Sequence, residues 1–104
     1  MTKRTATKSP ARAFPPGDFI REELDARGWT QGDLARVLGR PLQSVNQIVN
    51  GRKRITEQTA VELAAAFGTS PELWLNLESS YRLSLVRRSV DPAIIRRAAR
   101  LSST

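Results

Sequence analysis

The sequence predicts an all-α domain of five short helices, and three observations carry that prediction. Apolar residues recur with helical spacing, most clearly at Ala60, Leu63, Ala64 and Phe67, which lie at i, i+3, i+4 and i+7. Glycines interrupt the chain at intervals that suit short helices. No segment alternates apolar and polar residues as a half-buried strand does. A length of 104 residues is typical of one domain rather than two.

Start and stop signals place the helices along the chain. In chain order, the start signals are Pro15-Pro16-Gly17 with Asp18, Thr30, Pro41, Thr56 and Ser70-Pro71-Glu72. The stop signals are Gly28, Gly39, Asn50-Gly51 and Gly68. A further start at Asp91-Pro92 makes the segment that ends at Leu101 a candidate sixth helix.

Composition divides the chain into three parts. Residues 1–13 mix Thr, Lys, Ser, Ala and Pro without periodicity, and we expect them to form a disordered basic arm. Residues 14–88 are predicted to form the folded domain, which includes a dimerisation helix. Residues 89–104 form a basic C-terminal tail that carries the candidate sixth helix.

The net charge of +7 is concentrated outside the predicted core. Residues 1–13 carry four bases and no acid, residues 82–104 carry six bases and one acid, and residues 14–81 carry seven bases and nine acids. Within that core no acid occurs between Asp33 and Glu57. The same window contains five bases: Arg36, Arg40, Arg52, Lys53 and Arg54. A basic window in an otherwise acidic core indicates a polyanionic partner such as nucleic acid.

The residue types that are missing exclude several functions. The chain contains neither Cys nor His, which removes disulfide scaffolds, thiolate or imidazole metal sites and His-dependent catalysis. We therefore expect no cofactor, no metal ion and no small-molecule substrate. No apolar run approaches the roughly 18 residues of a membrane span and no secretory signal is recognisable, so a cytoplasmic protein without membrane contact is expected.

The segment from Gln31 to Ile48 has the spacing of a helix-turn-helix unit. Counted from Gln31, Ala35 is fifth, where a small side chain lets two helices cross closely, and Gly39 is ninth, where the chain must turn sharply. The positions predicted to face inward are Leu34, Leu38, Val45 and Ile48. An ordinary pair of packed helices is the alternative, and the outer face of the third helix weighs against it.

That outer face is polar and uncharged, and it consists of Gln43, Ser44, Asn46, Gln47 and Asn50. Amides and hydroxyls are the groups that read base edges in the major groove of DNA. A helix that is merely solvated more often carries Glu and Lys. The face therefore predicts a reader of double-stranded DNA.

Contacts to the DNA backbone are expected on both sides of this face. Thr30 and Gln31 begin the second helix, where free N–H groups and the helix dipole favour a phosphate. Arg52, Lys53 and Arg54 follow the third helix and are predicted to contact phosphates. Arg40, in the turn, is predicted to be a flanking contact.

From Phe14 to Leu83 the sequence resembles the HigA-type antitoxins, which are lambda-repressor-like helix-turn-helix proteins of the Cro/repressor-like (XRE) superfamily. The matching segments are 15–18, 30–31 with 34–35, 50–56 and 68–77, followed by Tyr81. The segment with Trp74 and Tyr81 is the most specific, because a generic repressor domain does not need these aromatic residues there.

The resemblance implies a dimeric protein of the bacterial nucleoid that binds its operator. It also implies a partner, a HigB/RelE-like toxin that cleaves mRNA on the ribosome, which the antitoxin neutralises while repressing the shared operon. It carries DNA contacts over to Gln31, Gln43, Ser44, Asn46, Gln47, Asn50 and Arg52.

The sequence also departs from the family pattern at four positions. Pro41 replaces the usual Ser or Thr cap, and Leu42 stands where a polar side chain often contacts a base, so that only a thymine methyl group is a suitable target for it. Glu78 and Arg82 replace the more common Gln and Asp.

The predicted fifth helix carries two apolar stripes. One consists of Leu73, Trp74, Leu77, Tyr81 and Leu85 and can close the core. The other consists of Leu75, Leu83 and Val86 with the small Ser79 among them, and a monomer would expose it. An exposed apolar patch usually marks a partner, so we expect Leu75, Ser79, Leu83 and Val86 to form a homodimer interface. The alternative is that Leu83 and Val86 fold over the core.

Other functions stay open at this point. The runner-up is a stand-alone transcriptional regulator of the same fold without a toxin partner. An enzyme would need Glu22, Glu23 and Asp25 to do chemistry, but adjacent carboxylates on an exposed helix are typical of solvated charge. A membrane-surface or RNA-binding peptide would leave the polar face of the third helix unexplained. The basic tail could dock on a toxin, cover a dimer seam, follow DNA or stay solvated.

Overall fold

The chain folds into helices joined by short turns. A computed structural model describes residues 14–102, so the predicted arm at 1–13 and the last two residues of the predicted tail lie outside the described range. The helices are α1 (Pro16–Arg27), α2 (Gln31–Leu38), α3 (Leu42–Val49), α4 (Glu57–Phe67), α5 (Pro71–Val86) and α6 (Pro92–Ser102), with a 3₁₀ turn at Arg87–Ser89. No strand occurs within 14–102, which confirms the all-α prediction, and the candidate sixth helix is present.

Hydrogen bonds confirm three of the predicted helix starts. The side-chain oxygens of Thr30, Thr56 and Ser70 each accept the backbone N–H of the residue three positions later, which satisfies a donor that the helix itself cannot. Pro41 precedes α3 as predicted but supplies no side-chain cap. α3 is therefore the member of the α2–α5 series that begins without one.

The core lies among α1 to α5. α2 packs on α3 and α4, α4 packs on α5, and α1 packs on α3 and α5. Trp74 is buried, and its indole N–H donates to Thr69 Oγ1 at 2.7 Å. Phe67 lies between Trp29 and Trp74, with ring centroids 6.1 and 5.9 Å away. The buried apolar residues are Ile20, Leu24, Leu34, Ala35, Val45, Ile48, Val49, Ile55, Ala60, Leu63, Ala64, Phe67 and Trp74.

The backbones of α1 and α3 approach each other at Gly17. A Cβ atom added to Gly17 would overlap the carbonyl oxygen of Val49, the last residue of α3. Only glycine therefore fits this crossing without a shift of backbone. The contact fixes the C-terminal end of α3 against the first turn of α1.

The apolar stripes of α5 differ from the prediction. Trp74 is buried and Leu77 packs against the core, but Leu73 and Leu85 of the same stripe are 40% and 58% exposed. Leu75 of the other stripe is partly buried against the core. The core covers only one side of the first turns of α5, which leaves Leu73 outside it, and it does not reach the final turns, where Leu83, Leu85 and Val86 are exposed whichever stripe they belong to.

Beyond Arg82 every large apolar side chain of the described range is exposed: Leu83, Leu85, Val86, Val90, Ile94, Ile95 and Leu101. α6 is amphipathic, because helical geometry places Ile94, Ala98 and Leu101 on one side. Arg96 and Arg100 lie on the side away from these residues, and Arg97 lies at the edge of the apolar side. Among residues 14–102, none of the helices combines the length and the apolar character that crossing a bilayer requires.

Candidate nucleic-acid interface

α2 and α3 are joined by a short turn at residues 39–41. Gly39 ends α2 in the left-handed region at φ 70°, and the backbone N–H of Arg40 donates to the Ala35 carbonyl oxygen at 3.0 Å. Leu34, Ala35, Val45 and Ile48 are buried in the shared core, and Leu38 is partly buried against it. These positions confirm the predicted inward face and the predicted turn.

The outer face of α3 carries amide side chains that the protein itself leaves available. Gln43 is exposed, and Asn46 and Gln47 are half-buried. Within residues 14–102 these three amides make no hydrogen bond. Gln43 and Gln47 lie one helical turn apart, so their side chains project from the same side of α3.

The remaining two polar residues of this face are already engaged. The Oδ1 atom of Asn50 accepts a hydrogen bond from Arg21 Nη2 at 3.0 Å, which ties the end of α3 to α1. The Oγ atom of Ser44 accepts one from Arg40 Nη1 at 3.2 Å. The structure therefore brings all five predicted side chains onto α3 or its C-cap, but it leaves only three of them free of internal partners.

The start of α2 is organised by a capping box. The Thr30 Oγ1 atom accepts the Asp33 backbone N–H at 3.0 Å, and the Thr30 backbone N–H donates to Asp33 Oδ2 at 2.9 Å. This backbone hydrogen bond and the neighbouring Arg36 side chain hold the pKa of Asp33 below its ordinary value. The N–H groups of Gln31 and Gly32 have no acceptor within a helix at this position, which leaves them available to an anion.

The loop that follows α3 presents Arg52, Lys53 and Arg54, and all three are exposed. Gly51 is left-handed at φ 79°. The backbone N–H groups of Arg52 and Lys53 both donate to the Gln47 carbonyl oxygen, at 2.8 and 3.1 Å. The three bases therefore extend from a backbone that is fixed to the end of α3, beside the polar face.

A buried acid anchors this loop to α5. Glu78 is only 7% exposed, and its Oε1 atom accepts the Ile55 backbone N–H at 3.1 Å. Its Oε2 atom pairs with Arg82 Nε, and Arg82 Nη2 donates to the Gly51 carbonyl oxygen at 3.4 Å. Both ends of the basic loop are thus tied to one ion pair.

Arg40 lies at the opposite end of α3, and its guanidinium group points into the protein. Its three nitrogens donate to three different side chains: Glu62 Oε1 at 2.7 Å, Thr59 Oγ1 at 3.0 Å and Ser44 Oγ at 3.2 Å. The Arg40 side chain is 22% exposed. The predicted flanking cation is therefore paired with an acid of α4 in the free protein.

This arrangement consists of two crossing helices with a left-handed glycine between them, an outward amide face and a basic exit loop. A family profile described as "Helix-turn-helix" matches residues 20–74, which is more than half of the chain. The chain belongs to this helix-turn-helix family.

Individual relatives agree with that assignment. The uncharacterised helix-turn-helix-type transcriptional regulator YddM of Escherichia coli is 30% identical over 79% of this chain and 87% of its own length. A solved addiction module antidote protein of the HigA family from Coxiella burnetii is 38% identical, with a TM-score of 0.70 over 75% of this chain and 86% of that one. The Pseudomonas aeruginosa antitoxin HigA, solved with the higBA promoter, is 33% identical with a TM-score of 0.70 and the same coverage. These likenesses confirm the resemblance to HigA-type antitoxins.

A second surface of this helix-turn-helix protein lies on α5. Leu75, Ser79, Leu83 and Val86, the four residues of the predicted dimer interface, line one open groove. Leu85 joins them, and charged residues complete the wall: Arg54, Glu57, Glu78 and Arg82. The groove therefore lies directly beside the basic loop, which contributes Arg54.

Sequence reasoning missed the internal partners of the helix-turn-helix unit. Glu78 and Arg82 were noted only as departures from the family pattern, although their opposite charges at i and i+4 are a signal for an ion pair on α5. Arg40 and Glu62 are 22 residues apart, and no spacing rule connects them. The same holds for Arg21 and Asn50, which are 29 residues apart.

Proposed function

We propose that this chain binds double-stranded operator DNA in a sequence-specific manner as a homodimer. The observation that carries the proposal is the set of three amides, Gln43, Asn46 and Gln47, that project from α3 without internal partners. A side-chain amide that makes no hydrogen bond within its own protein is free to bond to a base edge, as Gln and Asn do with adenine.

The phosphate contacts are proposed on the two sides of this face. Thr30 and Gln31 present the N-terminus of α2, and Arg52, Lys53 and Arg54 present the basic loop. Contacts of this kind position a protein on the duplex, whereas the amides select the sequence. We propose that Asn50 also contacts DNA, with its side chain oriented by the hydrogen bond from Arg21.

Dimerisation through the α5 groove suits this function. A two-fold protein matches a palindromic site whose half-sites lie about one helical turn, roughly 34 Å, apart. The exposed Leu83, Leu85 and Val86 provide an apolar surface that a second copy would cover. We propose that Leu75 and Ser79 lie at the inner wall of that interface.

We further propose that the protein is an antitoxin that neutralises a HigB/RelE-like toxin and represses its own operon. The similarity to the Coxiella burnetii antidote protein and the Pseudomonas aeruginosa HigA supports this proposal. The promoter complex of the latter supports operator binding in particular. A stand-alone transcriptional regulator is the second candidate, and the similarity to YddM favours it.

The DNA proposal is tested by selecting duplexes of about 30 base pairs, long enough for two half-sites, from a randomised pool with the full chain. We expect an enriched palindromic motif and tight binding of the selected duplex in fluorescence anisotropy. Gln47→Ala is expected to weaken binding of this duplex by about 1–3 kcal/mol and to relax selection at one base. If the selected duplexes share no motif and all duplexes bind with equal affinity, sequence-specific recognition is contradicted.

The two candidate functions are separated by the product of the neighbouring gene. If that gene encodes a small basic protein, co-expression with this chain is expected to yield a stable complex and to restore growth that the product alone arrests. A neighbouring product that neither binds this chain nor arrests growth favours the stand-alone regulator.

A further inference from the structure

The beginning of α3 is the least supported helix start in the helix-turn-helix unit. Thr30 caps α2 and Thr56 caps α4 with side-chain hydrogen bonds, whereas Pro41 precedes α3 and provides none. The first turn of α3 is held instead by the Ser44 and Val45 N–H groups, which donate to the Pro41 carbonyl oxygen at 3.0 and 3.3 Å. This turn also carries Gln43, one of the proposed base readers.

Arg40 compensates for the missing cap by connecting α3 to α4. Two of its nitrogens donate to α4, at Glu62 and Thr59, and the third donates to Ser44 in the first turn of α3. A planar guanidinium group donates from three separate nitrogens in a rigid plane, whereas an ammonium group donates from a single nitrogen. A single side chain thus fixes how the first turn of α3 sits relative to α4.

The electrostatics of this cluster argue against a free cation. Glu62 Oε1 lies 2.7 Å from Arg40 Nε, and Gln58 Nε2 donates to the other carboxylate oxygen at 2.9 Å. The hydrogen bonds from Gln58 and Arg40 keep the pKa of Glu62 below its ordinary value, so that the carboxylate is charged at neutral pH. Arg40 is therefore paired with a carboxylate in the free protein.

We infer that Arg40 is a positioning residue that orients α3 for base reading, not a phosphate contact. The inference rests on the DNA-binding function proposed above and assigns one residue a different part in it. Gln43 and Gln47 can form paired hydrogen bonds with bases only from a narrow range of helix orientations. Arg40 restricts that range through Ser44, and Glu62 and Thr59 hold Arg40 in turn.

The two roles give opposite signatures in binding experiments. A lost phosphate contact weakens binding to all sequences alike and reduces the slope of log affinity against log salt by about one. A lost positioning contact weakens binding to the selected duplex alone and leaves the slope unchanged. The discriminating substitution is Arg40→Met, which retains an unbranched side chain but removes the guanidinium group.

The experiment measures Arg40→Met on the duplex selected by this chain and on an unrelated duplex of equal length, over a series of salt concentrations. We expect about a tenfold loss on the selected duplex, the size of a lost charged hydrogen bond, and no change on the unrelated one. Ser44→Ala should cause a smaller loss that does not add to that of Arg40→Met. Arg40→Lys should behave like Arg40→Met, because one ammonium group does not span the three acceptors.

Arg36→Met is the matched control, because it removes the same charge from the same unit and its side chain is 81% exposed. It is expected to retain the preference for the selected duplex. Equal weakening of both duplexes by Arg40→Met with a slope lower by about one would overturn the inference in favour of a phosphate contact. Full affinity in Arg40→Lys would also overturn it, since charge alone would then suffice.

Amide hydrogen exchange in the free protein separates this inference from the proposed function. In Arg40→Met we expect faster exchange at the Ser44 and Val45 N–H groups, with exchange in α1 and α5 unchanged. If no duplex is ever enriched, the DNA-binding proposal fails, but this measurement still tests whether Arg40 holds α3. Unchanged exchange at both amides would overturn the inference.

Discussion

The two ends of α3 are held in different ways. At the C-terminal end, the contacts involve backbone groups: Gly17 lies against Val49, the loop amides donate to the Gln47 carbonyl oxygen, and the buried Glu78 side chain accepts the Ile55 N–H. The hydrogen bond from Arg21 to Asn50 adds a link to α1. At the N-terminal end, Pro41 gives no cap and the largely buried side chain of Arg40 makes the connection to α4. The C-terminal end of α3 is therefore held by several contacts that include its backbone, whereas its N-terminal end depends mainly on the side chain of Arg40.

The largest expected effect comes from the crossing of α1 and α3. Gly17→Ala would place a methyl group onto the Val49 carbonyl oxygen, so the two backbones must separate. We expect a loss of about 3 kcal/mol in the free energy of unfolding, measured by urea denaturation, because tight contacts involving backbone relax poorly. Gly32→Ala is the control, because its added Cβ would contact only the Thr30 Oγ1 atom at 3.5 Å. Equal stability of the two variants would show that the C-terminal end of α3 is not fixed by this crossing.

The second-largest expected loss of stability comes from replacing the buried acid Glu78. Glu78→Leu leaves the Ile55 N–H and the Arg82 guanidinium group without their partner, so we expect about 2 kcal/mol of destabilisation. Glu78→Gln retains an acceptor for Ile55 and should lose less. Thermal melting of both variants checks the order, and hydrogen exchange at the Ile55 amide locates the change in the loop. A leucine variant as stable as the parent would mean that the loop does not depend on this anchor.

A third prediction compares the exit loop with the cluster around Arg40. Arg52→Ala removes an exposed cation from a loop whose backbone stays fixed, so stability should change by less than about 0.5 kcal/mol. Its binding to every duplex should weaken alike, with a salt slope lower by about one. Anisotropy titrations with the selected and the unrelated duplex supply the measurement. If Arg52→Ala instead weakened binding to the selected duplex alone, Arg52 would act in sequence selection as Arg40 does, and the two ends of α3 would not have separate functions.

The smallest effect concerns pH. Hydrogen bonds from Gln58 and Arg40 lower the pKa of Glu62 in the folded protein from its ordinary 4.5. Its contribution to stability is therefore complete above pH 4.5 and is lost as the pH falls through the lower folded-state pKa. Glu62→Gln should therefore flatten the decline of the melting temperature in this acidic range. Parallel curves for parent and Glu62→Gln would contradict the role of this carboxylate.

Local contacts explain what the sequence could predict. Thr30, Thr56 and Ser70 cap helices through bonds that span three residues, and Ala35 and Gly39 serve the turn between neighbouring helices. Such features depend on nearby residues alone. The outward amides of α3 followed from the same periodicity once its inner face was known.

Other features depend on where distant elements end, which periodicity does not contain. Leu73 and Leu85 have the spacing of core residues, but the helices that pack on α5 do not cover them. Arg40 has the sequence context of a surface cation, yet an acid two helices later pairs with it. In both cases the missing information is three-dimensional distance.

One ion pair faces two surfaces of this molecule. Glu78 and Arg82 line the α5 groove and also hold both ends of the loop that carries Arg52 to Arg54. A molecule seated in the groove and an anion on the loop would therefore act on the same two side chains. Thermodynamic linkage is reciprocal, so whatever free energy occupation of the groove adds to binding at the loop, binding at the loop returns to the groove.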